Sequence, residues 1–118
     1  MEEKEIRAYV ERVLDTLGVG CRYLGHALAI DAVCQAVWDA QQRACVRRGL
    51  LRQIAERHQC SCPQVERNLR TVIRRAWLVN EAGLKRLAAY PLTQEPTVTE
   101  FVEILAVHVL RRRPEDWR

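Results

Sequence analysis

The 118-residue chain has no run of 18 apolar residues, so no segment is long enough to span a bilayer. Its opening, Met-Glu-Glu-Lys-Glu, is acidic and lacks the charged-then-apolar pattern of an export signal. No stretch alternates apolar with polar residues, which argues against strands. Internal repeats, low-complexity tracts and glycine-rich phosphate loops are also missing. No nucleophile, base and orienting group fall in a pattern that supports catalysis, so an enzyme is not expected and no cofactor is implied. The cysteines Cys21, Cys34, Cys45, Cys60 and Cys62 are odd in number and lack disulfide-framework spacing, which fits a reduced cytoplasm. Lysine is nearly absent, since 17 of the 19 basic residues are arginine; that bias carries no phosphate specificity by itself.

Against these absences stands residues 61–78, read as one amphipathic helix. Val65, Leu69, Val72, Ile73, Ala76 and Trp77 recur with the 3.6-residue period of a buried stripe. Gln64, Glu66, Arg67, Asn68, Arg70, Thr71, Arg74 and Arg75 cover the opposite surface. Such side chains neutralise phosphates and hydrogen-bond to base edges. Ser61 is placed to cap this helix, Pro63 suits its first turn, and Gln64 closes a Ser-x-x-Gln capping box. Before it, residues 50–58 form a short helix with Leu50, Leu51, Ile54 and Ala55 inward. Gln59 stands where the usual turn glycine would be. A short helix, a tight turn and a longer polar-faced helix make a helix-turn-helix pattern over 46–78. A helical hairpin with a solvated charged face would give the same pattern.

Charge favours the first alternative. Residues 47–75 hold eight arginines against Glu56 and Glu66, a net +6 that exceeds the +4 of the whole chain. The basicity is therefore local to the proposed reading unit, an electrostatic footprint for a polyanion.

The remaining chain reads as further helices around this unit. Residues 2–17 present Ile6, Val10, Val13, Leu14 and Leu17 inward and end at Gly18. A long alanine-rich helix over 23–45 offers Leu24, Leu28, Val33, Val37 and Trp38 to the core, and Trp77 is read as packing too. Asn80 can cap a short helix over 81–89, and Thr97 with Glu100 makes a capping box for a last helix that ends before Pro114. His26 and His108 read as residues of the core edge. Trp117 has no evident role. The expectation is a single all-α domain over 1–118 with six helices, a central helix-turn-helix and no winged elements. His58, Cys60 and Cys62 cluster three metal-ligand types, but no fourth lies near and the spacing matches no zinc pattern, so no metal is expected.

At this point the chain resembles a family, the DNA-binding effector domain of the sporulation master regulator, stage zero sporulation protein A. The likeness covers residues 13–113. It is carried by Leu17-Gly18-Val19, Gly25, Ala32, Asp39, Leu50, Ile54-Ala55, Val65-Glu66-Arg67, Arg70, Ile73 and Ala76-Trp77, with Pro96-Thr97 and Glu100-Phe101 further on. The resemblance implies a six-helix fold whose recognition helix enters the major groove with its N-terminal half. Arginine, glutamate and arginine stand in the family at the places of Gln64, Glu66 and Arg67. These three are therefore the expected base readers, and Ser61, Arg70, Thr71 and Arg74 the expected backbone contacts. Gln64 departs from the family, and because glutamine favours adenine where arginine favours guanine, the preferred operator is expected to differ there.

Members of the family carry a receiver domain upstream, for which the residues before Gly18 leave no room. The expectation is a stand-alone transcription factor with no receiver domain. The expected partners are double-stranded DNA, a second copy by self-association on tandem sites, and RNA polymerase or a regulatory partner docked on the N-terminal helix. The match is poor over 78–95, the region the family uses to touch RNA polymerase, so activation carries over less far than DNA binding. Two rival classes are a helical protein-interaction module and a nonspecific nucleic-acid binder. Neither accounts as well for a glutamate retained among arginines.

Overall fold

The computed structural model describes residues 2–42 and 49–112. They form five α-helices, α1 (Glu2–Thr16), α2 (Leu24–Gln41), α3 (Leu50–Arg57), α4 (Cys62–Leu87) and α5 (Val98–Leu110), with no strand among the described residues. The all-α class is as expected, but the count is five where the sequence predicts six. The expected fourth and fifth helices are one kinked element. Only Asn80 leaves helical geometry, at φ −146° and ψ 60°. Its Oδ1 does accept from the Gly83 backbone N at 3.0 Å, as a cap would. One non-helical residue redirects the chain without opening a loop, and the helix continues to Leu87. Asn80 Nδ2 donates to the Thr16 carbonyl at 2.7 Å, which ties the kink to the end of α1.

Other boundaries also shift. The long second helix stops at Gln41 with Gln42 as its C-cap, short of the expected end at Cys45. Cys45, Arg47, Arg48 and the start of the expected 46–78 motif lie outside the described residues, as do Pro114 and Trp117. Two expected core residues are not in the core: Leu24 is 80% exposed and Trp38 58% exposed. Both lie on α2, which is apolar around most of its circumference because it touches every other helix. Periodicity cannot choose an inner face for such a helix.

That central position of α2 organises the fold. α1, α3, α4 and α5 all pack on it, whereas the backbones of α1 and α3 do not approach one another. Its small residues permit the contacts. A Cβ on Gly25 would overlap the Asn68 carbonyl and Val72 Cγ2, so the start of α2 lies hard against the middle of α4. The end of α1 follows from Gly18, at φ +85°. The Gly18 N bonds to the Asp15 carbonyl at 3.0 Å and the Val19 N to the Leu14 carbonyl at 2.9 Å, a Schellman closure with Val19 and Leu14 both fully buried.

One polar cluster interrupts this apolar packing. Asp31, 6% exposed, lies on α2 between the two helices that do not touch. Its Oδ1 accepts from Arg7 of α1 at 2.6 Å, and its Oδ2 lies 2.5 Å from Nε2 of His58 at the end of α3. Burial works to raise the Asp31 carboxyl, but the hydrogen bonds from Arg7 and His58 and then their charges outweigh it. The carboxyl is held below its ordinary range. A further tie, between Tyr9 Oη and His108 Nε2 at 2.8 Å, joins α1 to α5. Burial, with Arg112 nearby, holds His108 below its usual range and so favours its neutral form.

Because the folded carboxyl is depressed, its contribution to stability is present above the unfolded aspartate value and is lost as pH falls through the folded one. Asp31→Ala should therefore lose stability at neutral pH toward the lower end of the roughly 3–5 kcal/mol typical of broken buried pairs, since half-exposed Arg7 can turn to water. Urea melts from pH 7 downward check both points: native and variant curves should converge below about pH 4, the ordinary aspartate range.

Candidate nucleic-acid interface

The turn between α3 and α4 fixes how α4 projects. α3 ends in a second Schellman closure, in which the Cys60 N bonds to the Ala55 carbonyl at 2.9 Å and the Gln59 N to the Glu56 carbonyl at 3.2 Å. Gln59 occupies the left-handed position at φ +55°, where the sequence lacks the usual glycine. Three residues later α4 starts in the capping box expected of it. Ser61 Oγ accepts from the Gln64 N at 3.3 Å, and Gln64 Oε1 accepts from the Ser61 N at 2.8 Å. Pro63 occupies the first turn. Val65, Leu69, Val72, Ile73 and Ala76 are buried, and Trp77 is half-buried with the Lys85 ammonium 5.6 Å from its ring centre. α4 thus starts rigidly and presents its other side to solvent.

That exposed side is less uniform than its composition. Glu66 pairs with Arg70 one turn on at 2.9 Å, in the favourable order with glutamate first. Arg74 reaches Glu95, in the loop before α5, at 3.0 Å. Arg67 is exposed and, among the described residues, has no acidic partner. These groups share one helical surface. Ser61, Gln64 and Thr71 are exposed too, but both hydroxyls and the Gln64 Oε1 are engaged. Ser61 Oγ also lies 3.2 Å from Gln64 Oε1, and the Thr71 hydroxyl donates to the Arg67 carbonyl at 3.2 Å. Arg75, expected on the outer surface, turns inward instead. It is half-buried, and its Nε donates to the Gly18 carbonyl at 3.1 Å.

The rest of the basic cluster is also paired in part. Arg52 meets Glu56 at 3.3 Å, and Arg57 donates to Gln35 at 3.1 Å. His58, Cys60 and Cys62 are not brought together: His58 is directed at Asp31, Cys60 packs against the core and Cys62 is exposed on the first turn of α4. No group of three possible metal ligands occurs among the described residues. Sequence reasoning missed Asp31, Arg7 and Glu95. Asp31 did leave a signal, as the only charged residue between Leu24 and Trp38. Glu95 left none, because its pairing with Arg74 depends on how the 88–97 segment returns.

Five helices among the described residues, with a capped, arginine-bearing helix set behind a tight turn, are an arrangement that suits a helical DNA-binding domain. The family model described as "Sporulation initiation factor Spo0A C terminal" matches residues 10–109, and the chain belongs to that family. It is thus a DNA-binding domain of the sporulation transcription-regulator kind. No curated protein and no solved structure matches the chain. Among the described residues no helix is long and apolar enough to cross a membrane.

Two substitutions test the entry to α4. Ser61→Ala should cost about 1 kcal/mol by removing the cap. Gln59→Gly should stabilise by roughly 0.5–1 kcal/mol, since relief of a left-handed conformation worth ~1–2 kcal/mol exceeds the added flexibility of the unfolded chain. Opposite shifts of the urea midpoint at an unchanged slope are the expected readout.

Proposed function

We propose that α3, the turn and α4 act as a sequence-reading helix-turn-helix, with the N-terminal half of α4 in the major groove of double-stranded DNA. The observation that carries this is Glu66, a half-exposed carboxylate kept among Arg67, Arg70 and Arg74. A carboxylate facing a phosphate polyanion is repelled unless a donor meets it there, and the cytosine amino group is such a donor. The ion pair to Arg70 supports the same reading. An exposed pair of this spacing adds only about 0.3–0.5 kcal/mol to stability. Its main consequence is that Glu66 approaches DNA partly neutralised, and Arg70 can exchange it for a phosphate on docking.

In this reading Arg67, one residue on and without an acidic partner among the described residues, takes a guanine edge or a phosphate. Arg70 and Arg74 take backbone phosphates. Ser61 contributes mainly by holding the helix start, and Thr71 contributes a phosphate contact once its hydroxyl leaves the Arg67 carbonyl. Gln64 has its acceptor in the capping box, so its free amide NH₂ offers a single donor to a purine. A two-bond pairing with adenine requires the box to open, at about 1 kcal/mol. A nonspecific nucleic-acid binder would have no use for Glu66, and an interaction module would show no operator preference.

Selection from a random duplex pool at near-physiological salt tests the reading, with native protein and Glu66→Ala in parallel. The expected result is a motif with a C·G pair whose preference relaxes in the variant, a discrimination of about 1–3 kcal/mol. Recovery of no motif from the native chain would sink sequence-specific reading.

A further inference from the structure

Arg22, in the turn before α2, is exposed, and among the described residues no carboxylate pairs with it. Its guanidinium carbon lies 5.5 Å from the ring centre of Tyr23. A second guanidinium, that of Arg75 on α4, lies 5.7 Å from the same ring centre. Arg75 is in turn held by the Gly18 carbonyl, and Gly25 sets the start of α2 against Asn68 in the middle of α4. Arg22 is therefore not a loosely tethered surface charge. A half-buried ring, fixed to the flank of α4 by a second arginine, restricts where its guanidinium can lie.

Two guanidinium groups gathered on one ring repel each other, and among the described residues no carboxylate relieves them. An anion beside that flank would. We propose that Arg22 is a second phosphate clamp, which grips the DNA backbone next to the groove that α4 enters, with Tyr23 and Arg75 as its positioning residues. The proposal rests on the reading of α4 as a DNA-binding helix. It extends the contact surface from α4 onto the α1–α2 turn, a different part of the chain. A phosphate contact adds affinity without sequence preference, so Arg22 should act equally on every duplex.

The test is binding of the full chain to the selected duplex and to a scrambled duplex across a salt series. Native protein is compared with Arg22→Ala, Tyr23→Phe and Tyr23→Leu, each checked by thermal melting. Arg86→Ala, at the C-terminal end of α4, controls for loss of net charge. Arg22→Ala should weaken both duplexes by one common factor and reduce the slope of log K against log salt by about 0.9, the value for one phosphate. Tyr23→Phe should keep the native slope because the ring remains. Tyr23→Leu should lower the slope with Arg22 still present.

A slope in Arg22→Ala equal to that of native protein or of Arg86→Ala overturns the clamp, as does weakening confined to the selected duplex. A native chain that binds duplexes without sequence preference overturns groove reading alone, and the clamp is then decided by its slope. A native chain that binds no duplex overturns both.

Discussion

The arrangement of the reading unit depends on one buried carboxylate. Asp31 faces Arg7 from α1 and His58 from α3, two helices whose backbones do not approach one another, and so is the link between them. Hydrophobic packing brings α1 and α3 to α2 but is non-directional, so it cannot alone set how far each slides or turns. A carboxylate with both oxygens engaged sets both. It also penalises alternatives, because any arrangement that strips one partner leaves a buried charge poorly compensated. His58 is the last residue of the α3 turn before Gln59, so the same bond that anchors α3 fixes the point from which α4 departs.

From that point the chain reaches α4 through local chemistry. Between Ala55 and Gln64 the chain carries a left-handed residue, a Schellman closure and a capping box, and the closure and the box satisfy donors or acceptors that a helix end leaves open. The Gly25 contact holds the middle of α4, and Asn80 ties its kink to the end of α1. The N-terminal turns of α4 are thus held from the turn and from α2. The proposed placement of α4 side chains within hydrogen-bond reach of base edges would need both constraints.

Legibility in the sequence followed the range of each interaction. Both capping boxes, the glycine closure after α1 and the buried stripe of α4 are local, and each was readable from residue types a few positions apart. The cap at Asn80 was readable as well, yet the break it marks is a kink, because tertiary contacts let the helix continue beyond it. Leu24 and Trp38 misled because α2 is apolar nearly all round, and only the positions of four neighbours decide which of its residues face solvent. Arg75 misled for the opposite reason: a polar residue on the flank found a carbonyl 57 positions away. The Asp31 and Glu95 pairings needed the fold itself. The outer surface of α4 was therefore legible in membership but not in engagement, since composition showed a dense arginine cluster without showing which members were already paired.

Gln64 makes the link between stability and specificity concrete. Its carboxamide has one acceptor oxygen, which is occupied at the start of α4 by the Ser61 N and lies close to the Ser61 hydroxyl. Reading adenine with two bonds would take that oxygen away from the cap, so part of the gain at the base would be offset by about 1 kcal/mol lost at the helix end. The arginine that stands at this place in the family faces no such conflict, because it has only donors and cannot close the box. On the proposed reading, Gln64 closes the cap at a place where an arginine would offer a guanine-reading group. The same reading expects weaker discrimination at this position, with Glu66 and Arg67 as the proposed principal readers and phosphate contacts as the proposed main source of affinity.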